Sequence, residues 1–327
     1  MEIFNLFIFF VFTFLCSFVL FKYYGIFAKK FGYFDIPNNI NVHEKPTPTS
    51  AGIVFISILL PSILFLQFYY GLELPKNYLL FYFGIFVLFL TGFIDDQKDI
   101  HPFIRLGVQI SVIYICLAIL YLQSVNLPLK FTMLIALYFW VYLLNIINFT
   151  DGSDGFLATN SIVFFFSIFL FYLLNENYNL SFSISLSFLP ILFTYLIFNK
   201  PKAKIFMGDS GSLIIGFCVG YCSIELILLG EIYLVISYLS YTLIDCTYTI
   251  IKKVCNGYYP WARMFDYQFL KPLKNNKDHN YIFINNLTFN CINLIIIGIQ
   301  IFYNLEILCL LSIFLSVFFI IKYNKNS

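Results

Sequence analysis

The chain has 327 residues, of which 61% are hydrophobic and only 11% charged, against about 25% charged in an ordinary soluble domain. That balance excludes a soluble globular protein and a disordered one, and a net charge of +2 gives no bulk electrostatic reason to bind nucleic acid. What remains is an all-α polytopic integral membrane protein, whose chemistry must reside in its few polar residues.

A transmembrane helix takes about 20 mostly apolar residues. Stretches of that size run in order at roughly 3–24, 51–70, 78–94, 104–122, 131–148, 157–174, 182–198, 212–229, 232–250, 281–302 and 305–321. The expectation is about eleven transmembrane helices in a single domain, 1–327, with the last two spans the least clearly divided. The strands of a barrel would be near ten residues long with polar alternation, and these runs are longer and uniformly apolar. The first run is no cleaved signal peptide by its features, since Glu2 replaces a basic start and no small-residue cleavage site follows.

An odd number of spans puts the two ends on opposite sides. The loops at 22–50, 95–105, 149–156, 199–211 and 251–281, with the C-terminal segment, hold 17 Lys and Arg residues, whereas the other set holds Lys76 and Lys130. The positive-inside rule then places the first set in the cytoplasm, the N-terminus outside and the C-terminus inside, in the inner (cytoplasmic) membrane. All ten aspartates fall on or beside that same face, while the external segments carry only glutamates. A short carboxylate suits a hard divalent cation; the preference of Asp for turns is the plainer explanation.

The polar segments of that face follow in chain order. Residues 35–52 are stiffened by Pro37, Pro46 and Pro48, and supply Lys45 and several hydroxyls beside the second span, or serve only as a stiff connector. At the end of the third span, Asp95 and Asp96 are adjacent carboxylates that repel unless solvated or joined by a cation or proton; Lys98 and Arg105 could neutralise them without a metal. The stretch Asn145–Gly155 contains Asn148 and two Asp-Gly steps, Asp151-Gly152 and Asp154-Gly155, with no Lys or Arg to pair them. Glycine permits the turns that bring such carboxylates together, and an uncompensated acidic loop is suited to a cation. In Asn199–Ser212, three lysines precede a Gly-Asp-Ser-Gly-Ser turn whose backbone N–H groups can hold a phosphate at the start of the next helix, while Asp209 can hold a metal. A basic flank followed by an ordinary cap explains the lysines equally well. The segment 258–271 interleaves aromatics with basic residues and reads as interfacial. The eight cysteines form no CxxC pair, and the three histidines (43, 101, 279) are scattered, against a histidine zinc site. Glu225 lies inside a span, where a carboxylate is a functional suspect, but near a helix end it is as well explained by protonation or snorkelling.

Carboxylates, amides, lysines and glycine turns on one face suit a cation-bound diphosphate reacting with a group delivered from the bilayer. A transporter would instead place ionisable groups at mid-membrane on broken helices.

Over residues 30–270 the chain resembles the polyprenyl-phosphate N-acetylhexosamine-1-phosphate transferase family. The likeness is carried, in order, by His43…Pro46-Thr47-Pro48…Gly52, Gly92…Asp95-Asp96, Asn148…Asp151-Gly152…Asp154-Gly155 and Asn199…Phe206-Met207-Gly208-Asp209-Ser210-Gly211-Ser212. The resemblance implies transfer of a sugar 1-phosphate from a UDP-N-acetylhexosamine-type donor to undecaprenyl phosphate, with Mg2+ (or Mn2+ in its place) and release of UMP, in active-site loops at about 26–50, 95–104, 149–156, 199–211 and 251–281; a homodimer is compatible with it. It implies Asp154 and Asp209 as magnesium ligands, Asp95 as base or lipid-phosphate partner, and Asp96 and Asp151 as shaping the same site. Lys45, Asn148, Asn199 and Phe206 would contact the donor, Asn199 and Phe206 at its uridine. Ile40 and Ala51 depart from the family pattern, and the histidine run of the peptidoglycan branch is absent from 261–272. The branch implied is therefore the one that primes O-antigen, capsule or other surface glycans, with the peptidoglycan-precursor enzyme as the alternative.

Overall fold

The computed structural model describes residues 2–36, 45–70, 78–123, 129–259 and 267–325. His43 and Ile40 of the first motif, and Trp261, Arg263 and Phe265 of the aromatic segment, lie outside the described residues. Eleven long helices succeed one another: α1 (Glu2–Phe31), α2 (Gly52–Tyr69), α3 (Tyr78–Gln97), α4 (Pro102–Gln123), α5 (Leu129–Phe149), α6 (Phe156–Leu174), α7 (Leu180–Asn199), α8 (Gly208–Leu228), α9 (Ile232–Cys255), α11 (His279–Tyr303) and α12 (Leu308–Lys325). The remaining helix, α10 (Lys271–Lys274), is a single turn that follows a 3-10 turn, Gln268–Leu270. Each predicted apolar run thus becomes one helix. Among the described residues nine of them are long and apolar enough to cross a membrane, and the described apolar parts of α4 and α12 are shorter, Pro102–Ala118 and Leu308–Tyr323.

Local chemistry sets the breaks. Asn179 starts α7 by accepting from the Phe182 N–H at 3.0 Å, and Asp278 starts α11 by accepting from Tyr281 at 3.0 Å, each satisfying an N–H that the first helical turn leaves unpaired. Asn304, in the left-handed region at φ 51°, divides α11 from α12, the boundary least clear from sequence. An all-α reading misses one feature: Phe34–Asp35 pairs antiparallel with Thr47–Pro48, a ladder too short to show a sequence period.

α7 and α8 form the centre of the bundle, with 83% of their apolar windows buried, whereas α1 is only 22% buried and faces outward. α8 packs against α3 and α5. A Cβ on Gly216 would stand 2.8 Å from the Leu144 carbonyl oxygen, and one on Gly220 would overlap the Trp140 ring. Small residues four apart let helix backbones approach closely in a membrane. Trp140 Nε1 closes the same contact by donating to the Phe217 carbonyl at 2.9 Å. Buried amides hold α11 in place: Asn286 donates to Thr159 at 2.6 Å and Asn293 to the Ser237 carbonyl at 3.0 Å. The effect is to fix α8, and with it the position of Asp209 on its first turn.

Candidate active site

The site is built around the N-terminus of α8. The preceding strand-like segment is stitched to the first loop, with Phe206 N–H donating to the Pro48 carbonyl at 2.8 Å, Ala51 N–H to Phe206 at 3.3 Å and Gly52 N–H to Met207 at 3.2 Å. Gly208 then takes φ +67°, which turns the chain into the helix. A Cβ on Gly52 would lie 2.3 Å from the Ser210 carbonyl carbon, and one on Gly92 would lie 2.4 Å from the Asp209 carbonyl oxygen. α2 and α3 therefore touch the first turn of α8 backbone to backbone, and only glycine allows it.

That approach separates the two adjacent aspartates of α3. Asp96 caps α8 from a neighbouring helix: Oδ1 accepts from Asp209 N–H at 2.7 Å and Oδ2 from Ser210 N–H at 3.3 Å. A carboxylate at this terminus also meets the positive end of the helix dipole. Asp95 turns the other way, with Oδ1 accepting from Ile100 N–H at 2.7 Å and Oδ2 from Arg105 Nη1 at 2.6 Å. The same Nη1 donates to Asp209 Oδ2 at 2.6 Å. One guanidinium on α4 thus joins carboxylates from α3 and α8.

The second half of the site is the turn between α5 and α6. Asp154 Oδ2 accepts from Lys202 N–H at 3.0 Å and Ala203 N–H at 3.1 Å. Its other oxygen lies 4.0 Å from His279 Nδ1, which is also 3.0 Å from Ser153 Oγ. Asn199 is buried and links the turn to the α7–α8 loop, accepting from Gly155 N–H at 3.0 Å and donating to the Ile205 carbonyl at 3.0 Å. The Asp151 carboxylate accepts no hydrogen bond among the described residues. Burial pushes its pKa well above the ordinary value, and the charges of Asp209, Asp96 and Asp154 push it further. Asn148 Nδ2, at the end of α5, is buried without a partner among the described residues.

Asp95, Asp96 and Asp209 are thus linked, Asp95 to Asp209 through Arg105 and Asp96 to the Asp209 N–H, and Asp151 lies close enough to Asp209, Asp96 and Asp154 to feel their charge. Asn199 lies in the site but commits its amide to the protein. Phe206 is anchored by its backbone. Lys45 is exposed, and the contact described for it is through its carbonyl, which accepts from Thr47 Oγ1 at 3.0 Å. His279 belongs to the site although its spacing in sequence set it aside; the signal was its place directly after the capping Asp278.

The aromatic segment differs from an interfacial strip at its end. Tyr267 and Phe269 are buried, Phe269 stacks on Phe156 with centroids 4.2 Å apart, and Asp245 holds this segment by accepting from the Gln268 and Phe269 N–H groups at 2.8 and 3.1 Å. Pairing of these amides by a carboxylate of α9 lets the two rings leave the interface.

Among the described residues, no three His, Cys, Asp or Glu side chains already converge as a metal-ligand set. Magnesium is commonly held by one or two carboxylates completed by phosphates and water. Asp151, unbonded and crowded by negative charge, offers the oxygen that a hard cation would relieve most.

A family model described as glycosyl transferase family 4 matches residues 78–227. The chain is 27% identical over 242 residues to a probable undecaprenyl-phosphate N-acetylglucosaminyl 1-phosphate transferase of Bacillus subtilis, a match covering 70% of this chain and 66% of that protein. It is 33% identical over 264 residues to a phospho-N-acetylmuramoyl-pentapeptide-transferase of Helicobacter pylori, covering 67% and 72%. The corresponding protein of Listeria monocytogenes serotype 4b is 30% identical over 236 residues, covering 63% and 72%.

Proposed function

The chain belongs to glycosyl transferase family 4, and from that premise we propose that it transfers a sugar 1-phosphate from a UDP-N-acetylhexosamine-type donor to undecaprenyl phosphate. An oxygen of the lipid phosphate attacks the sugar-bearing phosphorus, the bond from that phosphorus to UMP breaks, and a lipid-diphosphate-linked sugar remains. The observation that carries this reading is the single Arg105 nitrogen bonded at 2.6 Å to both Asp95 and Asp209. It draws two membrane helices into one acidic site beside the Asp151–Asp154 turn.

Magnesium bound by Asp154 and Asp209, with Asp151 adjoining, would offset the charge of the diphosphate. Asp154 suits that task because its Oδ2 is fixed by two backbone N–H groups, which holds its other oxygen in one direction. Arg105 fixes Asp95 toward Asp209, where Asp95 can orient the incoming lipid phosphate. That phosphate is largely ionised at neutral pH, its second pKa being about 6, so proton removal contributes little and positioning contributes most. The Asp96 cap holds the first turn of α8 square to the other carboxylates. The lysine-rich loops lie at this same end, so the site faces the cytoplasm.

The branch proposed is surface-glycan priming, because residues 261–272 carry no histidine run. A second reading, the peptidoglycan precursor enzyme, is favoured by the Helicobacter and Listeria relatives. UMP release by the purified chain with undecaprenyl phosphate and Mg2+, across UDP-N-acetylhexosamines and UDP-N-acetylmuramoyl-pentapeptide, separates them. Release dependent on lipid and metal with a simple N-acetylhexosamine donor is the expected result. Release with the pentapeptide donor alone establishes the second reading, and no release with any donor rejects both.

A further inference from the structure

Asp245 lies on α9 and is buried. Its Oδ1 accepts from Gln268 N–H at 2.8 Å and from Thr249 Oγ1 at 3.3 Å, and its Oδ2 accepts from Phe269 N–H at 3.1 Å. Both amides belong to the start of the 3-10 turn Gln268–Leu270, where a helix leaves its own N–H groups unpaired. A bond from an N–H to a charged oxygen is about twice as strong as a neutral one, so this one side chain fixes where the 3-10 turn sits relative to α9.

The 3-10 turn in its place is a support for the acidic turn. Phe269 stacks on Phe156, with centroids 4.2 Å apart and planes 17° from parallel, and Tyr267 lies 6.0 Å from Phe149. Phe149 ends α5 and Phe156 begins α6, so these two rings bracket Asp151 and Asp154. Between them Gly152 meets the same support: a Cβ there would stand 3.3 Å from Leu270 Cδ1 and 3.6 Å from Phe269 Cζ. A second support is the α7–α8 loop, whose Lys202 and Ala203 N–H groups bond Asp154.

Packing of the rings would hold the 3-10 turn in the bundle without any carboxylate, and burying one is costly unless hydrogen bonds complete it. What the carboxylate adds is direction. Bonds to two successive N–H groups fix both the position and the rotation of the 3-10 turn, and so the reach of Phe269 and Leu270 toward Gly152 and Phe156. Resting on the transferase reading of this site, we infer that Asp245 is a positioning residue for the reaction: through Phe269 and Leu270 it sets where Asp151 and Asp154 stand relative to Asp209.

The test measures UMP release by the purified full chain, well below every thermal midpoint, with the UDP-sugar that the native chain turns over fastest. Asp245→Asn keeps one acceptor oxygen and sets an amide nitrogen against the other N–H. It is expected to lower kcat about 10²-fold, the cost of misplacing reacting groups by about 1 Å. Its KM for undecaprenyl phosphate should stay within about twofold, because the lipid phosphate is read at Asp95 and not at the turn. Phe269→Leu leaves the N–H bonds and removes the stacked ring, and is expected to lower kcat about tenfold. The double variant should be no slower than Asp245→Asn, since both changes act along one path. Glu225→Gln, at the far end of α8, controls for lost stability and should keep kcat within about twofold. The inference alone would be overturned by a kcat of Asp245→Asn within about threefold of native, by a change confined to that KM, by losses that multiply in the double variant, or by an equal loss in Glu225→Gln. Should Asp245→Asn fail to fold, Phe269→Leu decides, its loss of kcat upholding the inference and a native kcat overturning it. No release by the native chain with any donor would overturn the transferase reading and this inference with it.

Discussion

Glu225, near the end of α8, and Asp151, on the turn after α5, are both half-buried carboxylates, at opposite ends of the bundle. Glu225 accepts from Tyr172 at 3.1 Å, from Asn179 at 3.1 Å and from Ser181, so that α6, α7 and α8 are tied together by one side chain. Asp151 accepts nothing among the described residues and is surrounded by three further aspartates. Around Glu225 the donors come from the protein, which is how a polar group serves as interhelical glue. Around Asp151 the described residues supply negative charge and no hydrogen bond to the carboxylate, which leaves the balance to a ligand. A carboxylate inside a membrane protein is thus diagnosed by who completes its bonding, more than by its depth.

The largest test of this contrast is Asp209→Asn. Loss of a carboxylate that bonds Arg105 and faces the acidic turn should lower UMP release by about 10³-fold while the thermal midpoint stays near native. Gly92→Ala attacks the packing that makes the site possible. Its Cβ would stand 2.4 Å from a backbone oxygen of Asp209, so α3 must move; a destabilisation of about 1–3 kcal/mol and about a 10²-fold loss of turnover are expected in denaturation and rate measurements.

Proton binding sharpens the contrast further. In the folded chain Asp151 keeps its proton to a higher pH than its ordinary value of 3.8. Between those two pH values the folded state binds a proton that the unfolded state has lost, so stability falls as pH rises through that window. In chelator-treated protein the native midpoint should therefore decline from about pH 4 upward relative to Asp151→Asn, whose side chain has no such proton to hold. The smallest effect on chemistry belongs to Glu225→Gln. Its amide nitrogen would face donors, costing about 1–3 kcal/mol of stability, while turnover should stay within about twofold of native because the site lies at the far end of α8.

The helices were legible in the sequence because each apolar run is long and uniformly apolar, and nine of the described helices are long enough to cross a bilayer. The acidic site was legible in its parts, since Asp95, Asp96, Asp151, Asp154 and Asp209 stand in short glycine-bearing segments at helix ends. What joins those parts was less so. Arg105 was readable as a neutraliser of the Asp95–Asp96 pair ten residues away, but its second bond, to Asp209 across 104 residues of chain, depends on how α3 packs between α4 and α8. His279 reaches Ser153 across 126 residues for the same reason. The Phe34–Thr47 ladder is too short to leave a pattern at all.

The central claim is that phosphosugar transfer takes place at the acidic end of the bundle, facing the cytoplasm, and vesicle sidedness tests it most directly. UMP release from an externally added UDP-sugar would be measured in sealed membrane vesicles of each orientation loaded with undecaprenyl phosphate. Release by inside-out vesicles, absent from right-side-out ones until they are permeabilised, is the predicted result. Release by intact right-side-out vesicles would contradict it, because the chemistry would then lie at the Glu225 end.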